Sequence, residues 1–267
     1  MKHTNQIKPR QQINAFLIVF IISANQVGIG VMGFQQHLYQ IAKQDSWISL
    51  IFSFLLAHLS IFIIIKTLEL YESKDIFEIN QDIFGTFIGN FLNVLYVSFC
   101  STIFLIILRT YIEIINTWVF YNLSSLFLSV TLLLLLIYAF TGNLRVIVGV
   151  SFFTIIMAFF WNFFLIPPLE YAEVNYLLPV FQTDILDILK GTYFMAFTII
   201  GFEIINVIYP FIKEKNKVNR YAHLGLLATL LIFLPILLVS LVYFSGEQLS
   251  KTFWPTLTML GNVRLPF

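Results

Sequence analysis

Cysteine is all but missing from this chain: Cys100 stands alone, inside an apolar run. One thiol allows no internal disulfide and no cysteine-rich metal site, which excludes a stapled scaffold and a zinc module. Charge is scarce as well. Asp, Glu, Lys and Arg make up 11% of the 267 residues, against about 25% in an ordinary globular domain. The net charge of +1 offers no concentrated basic footprint, so nucleic acid is not expected as a partner. No Ser/His/Asp set, phosphate-binding loop, paired carboxylates or metal-ligand spacing occurs. An enzyme is therefore not expected, and no cofactor or metal is implied.

What the chain has in abundance is apolar surface. Fully 59% of the residues are hydrophobic, 30 of them Phe, which is too much to hide from water in a soluble domain of this size. A bilayer core of about 30 Å is crossed by about 20 helical residues. Charge-poor runs of that order occur at about 13–34, 47–65, 83–108, 118–140, 146–166, 192–212 and 224–245, which predicts an all-α integral membrane protein with seven transmembrane helices. Residues 1–267 then form a single transmembrane domain, with the lipid bilayer as its solvent. The first run follows Lys2, Lys8 and Arg10 as a signal peptide would, yet it lacks a small-x-small cleavage site and six more runs follow. It is expected to be retained.

Lys and Arg in short loops set the orientation. With the N-terminus inside, the cytoplasmic segments hold Lys2, Lys8, Arg10, Lys66, Lys74, Arg145, Lys213, Lys215, Lys217 and Arg220. The external side holds Lys43, Arg109, Lys190, Lys251 and Arg264. This imbalance favours a cytoplasmic N-terminus. The long cytoplasmic segment 66–82 mixes acids with Leu70, Ile76, Phe77 and Ile79, a pattern that suits either a short interfacial helix or a solvated connector.

Two runs carry glycine interruptions with polar neighbours: Asn25-Gln26-Val27-Gly28-Ile29-Gly30 in the first and Gly201-Phe202-Glu203-Ile204-Ile205-Asn206 in the sixth. Glycine weakens a helix by about 1 kcal/mol relative to alanine. Backbone freed by a break is costly in hydrocarbon unless it lines a cavity. The interrupted runs lie five apart, and an odd repeat enters the membrane from the opposite side the second time. Matched interruptions in such halves point to a midplane binding site. Close helix packing at small residues is the bland alternative for each glycine taken alone.

Glu203 lies well inside its run, where an acid is costly. It suits a ligand contact or a proton-sensitive switch, or else a hydrogen bond that pins the broken helix, for example to backbone N–H groups of the first run. Arg109 and Glu113, spaced i, i+4, read as a snorkelling pair at the interface. His58, Asn93 and Asn162 read as partners in interhelical hydrogen bonds.

Several of these residues together resemble the B subunits of bacterial spore germinant receptors, the spore germination permease family within the amino acid–polyamine–organocation superfamily. The likeness runs through Leu178-Pro179, Gly201-Phe202-Glu203, Pro210, the basic loop to Arg220-Tyr221, Leu224-Gly225 and Trp254-Pro255-Thr256. Gly28 and Gly30 sit where the family carries its first-helix break, and Arg109 with Glu113 matches a basic–acidic pair ending the third helix. Phe34-Gln35 departs from the Leu-Pro the family often has there.

The resemblance implies ten spans in two inverted five-helix repeats, here a first repeat over about 12–166 and a partial second over about 190–267. Truncation before the last three helices is then expected, through either fragmentation or a natural shortening. It also implies a place in the spore inner membrane, a small germinant (typically an amino acid) that triggers germination, and A and lipoprotein C subunits as partners. Carried over residue by residue, the ligand-binding positions are Gly28, Ile29, Gly30, Gly201, Phe202 and Glu203. A secondary amino acid transporter coupled to proton or sodium is the rival expectation, and a structural bundle without ligand the third.

Overall fold

The computed structural model describes residues 12–71 and 74–261, and no strand occurs among them. The basic residues Lys2, Lys8, Arg10 and Arg264, invoked for orientation, lie outside the described residues. Every apolar run contains helix. A short 3-10 turn leads into α1 (Ile18–Gln26), and another follows it before α2 (Phe34–Ala42). Then come α3 (Ser46–Leu70), α4 (Ile76–Trp118), α5 (Ser125–Thr141), α6 (Asn143–Trp161) and α7 (Ile185–Thr198). After α7 the chain continues through a 3-10 turn into the short α8 (Ile205–Ile208). The last elements are α9 (Val218–Tyr243), α10 (Gly246–Lys251) and α11 (Pro255–Gly261).

Four helical stretches, 34–70, 76–118, 143–171 and 215–243, are long and apolar enough to cross a membrane, and a bent pair, 185–198 with 202–211, makes a fifth. The stretches 15–26 and 125–141 are apolar but shorter. Side chains such as Phe87, Phe91, Leu95 and Leu105 stand half-exposed or more along α4, a surface that suits lipid and not water. This is a membrane protein.

The core lies where α1 packs on α9 and α6, while α3 packs on α7 and α9. Ile18, Ile22, Leu50, Ile61, Leu226 and Phe233 are fully buried there.

Several boundaries differ from the hydropathy expectation, and polar groups stand at three of them. The first helical stretch resumes after its break and runs to Ala42, because Gln36 and Gln40 find the Ser250 carbonyl at 3.1 and 2.8 Å. The third continues past Leu108 to Trp118, since Thr110 and Thr117 bond back to the carbonyls of Ile106 and Glu113 at 2.9 and 2.8 Å. The fourth accordingly starts at Ser125 and not at Trp118. The sixth begins earlier, at Ile185, where the Asp184 carboxylate accepts from the Leu186 N–H.

Within the segment ahead of the third span, the residues from Ile76 onward are helical. At Gly85, whose φ of +76° suits glycine alone, the chain reverses, and the 76–84 turn folds back along the rest of α4. Asn80 Nδ2 donates to Asn93 Oδ1 at 2.8 Å, Gln81 Nε2 to Asn90 Oδ1 at 2.6 Å, and Asn93 Nδ2 to the Phe77 carbonyl at 3.0 Å. A Cβ on Gly89 would sit 2.6 Å from the Gln81 Cα, so this approach needs glycine.

Buried Asp45, at the turn between α2 and α3, accepts from the backbone N–H groups of Phe181, Gln182 and Thr183 at 2.7, 2.8 and 3.0 Å. Phe181 is held at φ +60°, a conformation costly for a bulky residue unless its surroundings enforce it. We expect Asp45→Ala to lower stability by about 1–3 kcal/mol by orphaning these donors, read as a lower unfolding temperature in detergent.

Glu214 closes the opposite end, accepting from the Ala15 N–H at 3.0 Å and from Lys217 Nζ at 3.2 Å. The Ala15 bond foremost, and then Lys217, holds its carboxyl below the usual carboxylate range. A depressed acid contributes stability at neutral pH that disappears as pH falls through its folded value. Acidification below the ordinary carboxylate range should therefore loosen the start of α1, and Glu214→Gln should flatten that dependence in hydrogen exchange at Ala15.

Candidate functional site

Both glycine interruptions are real. After Gln26 the backbone leaves the helix at Val27 (φ −81°, ψ 80°) and Gly28 (φ −119°, ψ −151°) before resuming at Ile29. The break falls near the middle of 15–42, because the helix beyond it is longer than hydropathy suggests. In the sixth stretch, α7 ends at Thr198, Gly201 takes φ +132°, and the axis turns by 47° before continuing.

The two breaks touch. A Cβ on Gly201 would lie 2.8 Å from the Asn25 carbonyl oxygen, and one on Gly30 would lie 3.2 Å from Thr198 Cγ2. Gly201 is thus required twice over, for its left-handed φ and for the closeness of the first helix. Gly30 serves close packing as well. Gly28 differs: a Cβ there would meet nothing within 4 Å.

The freed backbone is satisfied by side chains that were not selected in the sequence. Buried Gln26 donates from Nε2 to the Ile199 carbonyl at 2.6 Å and accepts on Oε1 from Thr229 at 2.7 Å. One amide thereby links the first break, the sixth break and α9. Ser23 adds a bond to the Gly225 carbonyl at 2.8 Å. The signal for Gln26 was present, since it stands in the polar motif ahead of Gly28; nothing in the sequence pointed to Thr229.

Glu203 bonds to backbone, as the pinning alternative has it, but within its own break: Oε2 accepts from the Gly201 N–H at 2.7 Å. It makes no contact with the N–H groups of the first helix among the described hydrogen bonds. His58 and His223 face each other with Nδ1 atoms 2.7 Å apart, joining α3 to α9. Asn162 reaches the Leu231 carbonyl at 3.4 Å, and its Oδ1 is buried without a partner. Arg109 and Glu113 form no ion pair among the described residues, with each other or otherwise.

A cavity of about 750 Å³ opens beside the first break. Gly28 and Ile29 form one wall, with Phe153 and Trp161 of α6, Tyr111 of α4 and Ile236 of α9 around them. No Asp, Glu, Lys or Arg lines it; Thr154, Thr256 and Asn162 are its polar side chains besides Tyr111. Across Ile29 lies a second space of about 290 Å³, bordered by Gly30, His37, Thr110, Thr198 and Trp254. Gly201, Phe202 and Glu203 border neither space, so the six expected positions divide between a cavity wall and the junction of the two breaks.

The tail after α9 braces this region. Thr256 donates to the Val31 carbonyl at 2.9 Å and accepts from Gln35 Nε2 at 2.5 Å, while a Cβ on Gly33 would lie 2.7 Å from the Phe253 carbonyl oxygen. Trp254-Pro255-Thr256 therefore packs on the first helix just beyond its break, and Gln35 is the residue that receives it.

We expect Gln26→Leu to cost about 1–3 kcal/mol, since it strands the Ile199 carbonyl and leaves the Thr229 hydroxyl with the Gly225 carbonyl at 3.1 Å as its acceptor. A lowered unfolding temperature for Gln26→Leu that Thr229→Val does not deepen in the double variant would identify the shared bond.

A family described as spore germination protein matches residues 12–267. The chain is 32% identical to spore germination protein GerQB of Bacillus cereus over 262 residues, 98% of this chain and 72% of that one. It is 19% identical to spore germination protein B2 of Bacillus subtilis, covering 97% of this chain and 71% of that one. Spore germination protein YndE of the same organism is 21% identical, covering 97% and 72%. No solved structure matches.

Proposed function

Because this chain belongs to the spore germination permease family, we propose that it is the membrane subunit of a spore germinant receptor, binding a small germinant at its broken helices. The observation that carries this reading is the meeting of two interrupted helices beside a cavity whose wall is Gly28 and Ile29. An uncharged, mostly apolar cavity suits a small molecule with an apolar body, such as an amino acid with a hydrophobic side chain. The unpartnered Asn162 Oδ1 would accept from its ammonium group.

In this reading seven helices cross the spore inner membrane with the N-terminus in the cytoplasm, the positive-inside balance of Lys and Arg supporting that orientation. They form the first five and part of the second five helices of an inverted repeat. The ligand shifts the occupancy of two packings of the bundle by its differential affinity for them, and A and C subunits of the receptor receive that shift. Gly30, Gly201, Phe202 and Glu203 act at the junction between the breaks, where their movement would couple the cavity to the bundle.

Gly28 provides the clean test, since a side chain there projects into open space whereas one at Gly201 collides with the first helix. Spores carrying Gly28→Leu should lose their response to germinant while the protein remains at wild-type level in the membrane. A normal response would sink the assignment. Uptake of labelled amino acid into vesicles by this protein without partner subunits would favour a carrier instead.

A further inference from the structure

A third cavity, of about 590 Å³, lies apart from the breaks, between α4 and α5. Its polar walls are Arg109, Glu113, Asn116, Thr117, Ser125 and Ser129. Arg109 and Glu113 stand one helical turn apart, a spacing at which opposite charges are neighbours. They make no ion pair among the described residues, with each other or with anything else. Asn116 gives its Nδ2 to Ser125 Oγ at 3.1 Å, and its Oδ1 is buried with no partner. The cavity therefore presents one strong donor of fixed positive charge and one anionic acceptor, with one vacant neutral acceptor buried beside them. A group that satisfies all three carries an anionic oxygen and, close by, an ammonium with N–H to give.

Depth narrows the source. Beyond Gly85, α4 runs for about 33 residues, or ~50 Å, against a hydrocarbon thickness of about 30 Å. If the helix is centred in the bilayer, Arg109 lies about 10 Å and Glu113 about 16 Å from the midplane, on either side of the hydrocarbon boundary. Exposed Trp118 and Tyr121, beyond them, are the residues expected at headgroup level. Leu105 and Leu108 continue the cavity toward the membrane interior, with Leu105 61% exposed, an apolar bed on the lipid side of the charges.

We propose that this cavity binds a zwitterionic head with an oxyanion and a protonated primary amine, supplied by an aminophospholipid of the phosphatidylethanolamine type. The phosphate sits on Arg109, the ammonium on Glu113 and Asn116 Oδ1, and the acyl chains lie along Leu105 and Leu108. A free amino acid offers the same pair of groups without the chains. The site is independent of the germinant cavity, and its failure would leave that reading untouched.

The whole chain, reconstituted in nanodiscs with equal phosphatidylethanolamine, phosphatidylcholine and phosphatidylglycerol, tests this by native mass spectrometry of retained lipid. Phosphatidylethanolamine should be retained over both others by about fivefold, the discrimination that one charge-assisted hydrogen bond supplies. Phosphatidylcholine has no N–H to give and phosphatidylglycerol no ammonium, so both should sit at background. Glu113→Gln should bring the three lipids to parity, and Arg109→Gln, which removes the partner of the shared phosphate, should lower retention of phosphatidylethanolamine toward background, with helical circular dichroism unchanged in both. Asn116→Leu, which keeps both charges, should cut the preference over phosphatidylcholine and leave that over phosphatidylglycerol largely in place. Labelled alanine or phosphoethanolamine is then offered in nanodiscs of phosphatidylcholine alone. Arg109-dependent binding there, without phosphatidylethanolamine retention in the mixed discs, would support the zwitterion site and make its source a solute. Equal retention of all three lipids with no solute binding, or a preference that survives both charge variants, overturns the proposal.

Discussion

The side chain of Gln26 is the constraint on which the centre of this protein depends. A helix broken in hydrocarbon leaves carbonyl and N–H groups that lipid cannot satisfy, each at a cost of several kcal/mol. Here the buried carbonyl of Ile199 is met by the Gln26 amide, whose oxygen is met in turn by Thr229. Glu203 performs the same service for the Gly201 N–H. The interruptions persist because protein groups replace water at them. Their closeness then follows, since a side chain as short as glutamine cannot bridge them unless Gly201 lets the two backbones meet.

That arrangement leaves Gly28 facing open space, where a cavity adjoins it. Structural demand and ligand access are thus divided among residues that look alike in the sequence. Gly201 answers to backbone geometry, Gly30 to packing against Thr198, and Gly28 to neither. Around them the tail residues Trp254 to Thr256 and the glutamines of α2 brace the first helix beyond its break.

The apolar runs made the helices legible, because hydrocarbon tolerates little else, and the glycine motifs marked the breaks. What hydropathy could not reach were ends defined by satisfied polar groups. Gln36 and Gln40 look like loop residues until Ser250 is placed beside them, and Thr117 looks like a terminus until its hydroxyl turns back on Glu113. The fold-back at Gly85 depends on amide pairs nine and thirteen residues apart, which no helical or strand period exposes. Thr229 and Asp45 were unreadable for the same reason: each matters through partners distant in the chain.

Ile13, just ahead of α1, exchanges hydrogen bonds with both sides of Ile212, just after α8: its N–H reaches the Phe211 carbonyl at 2.9 Å, and its carbonyl receives the Lys213 N–H at 3.0 Å. This short strand-like rung is a rivet between the two segments. Neither can slide past the other there without giving up both backbone bonds, so relative motion falls to the interruptions further along each one.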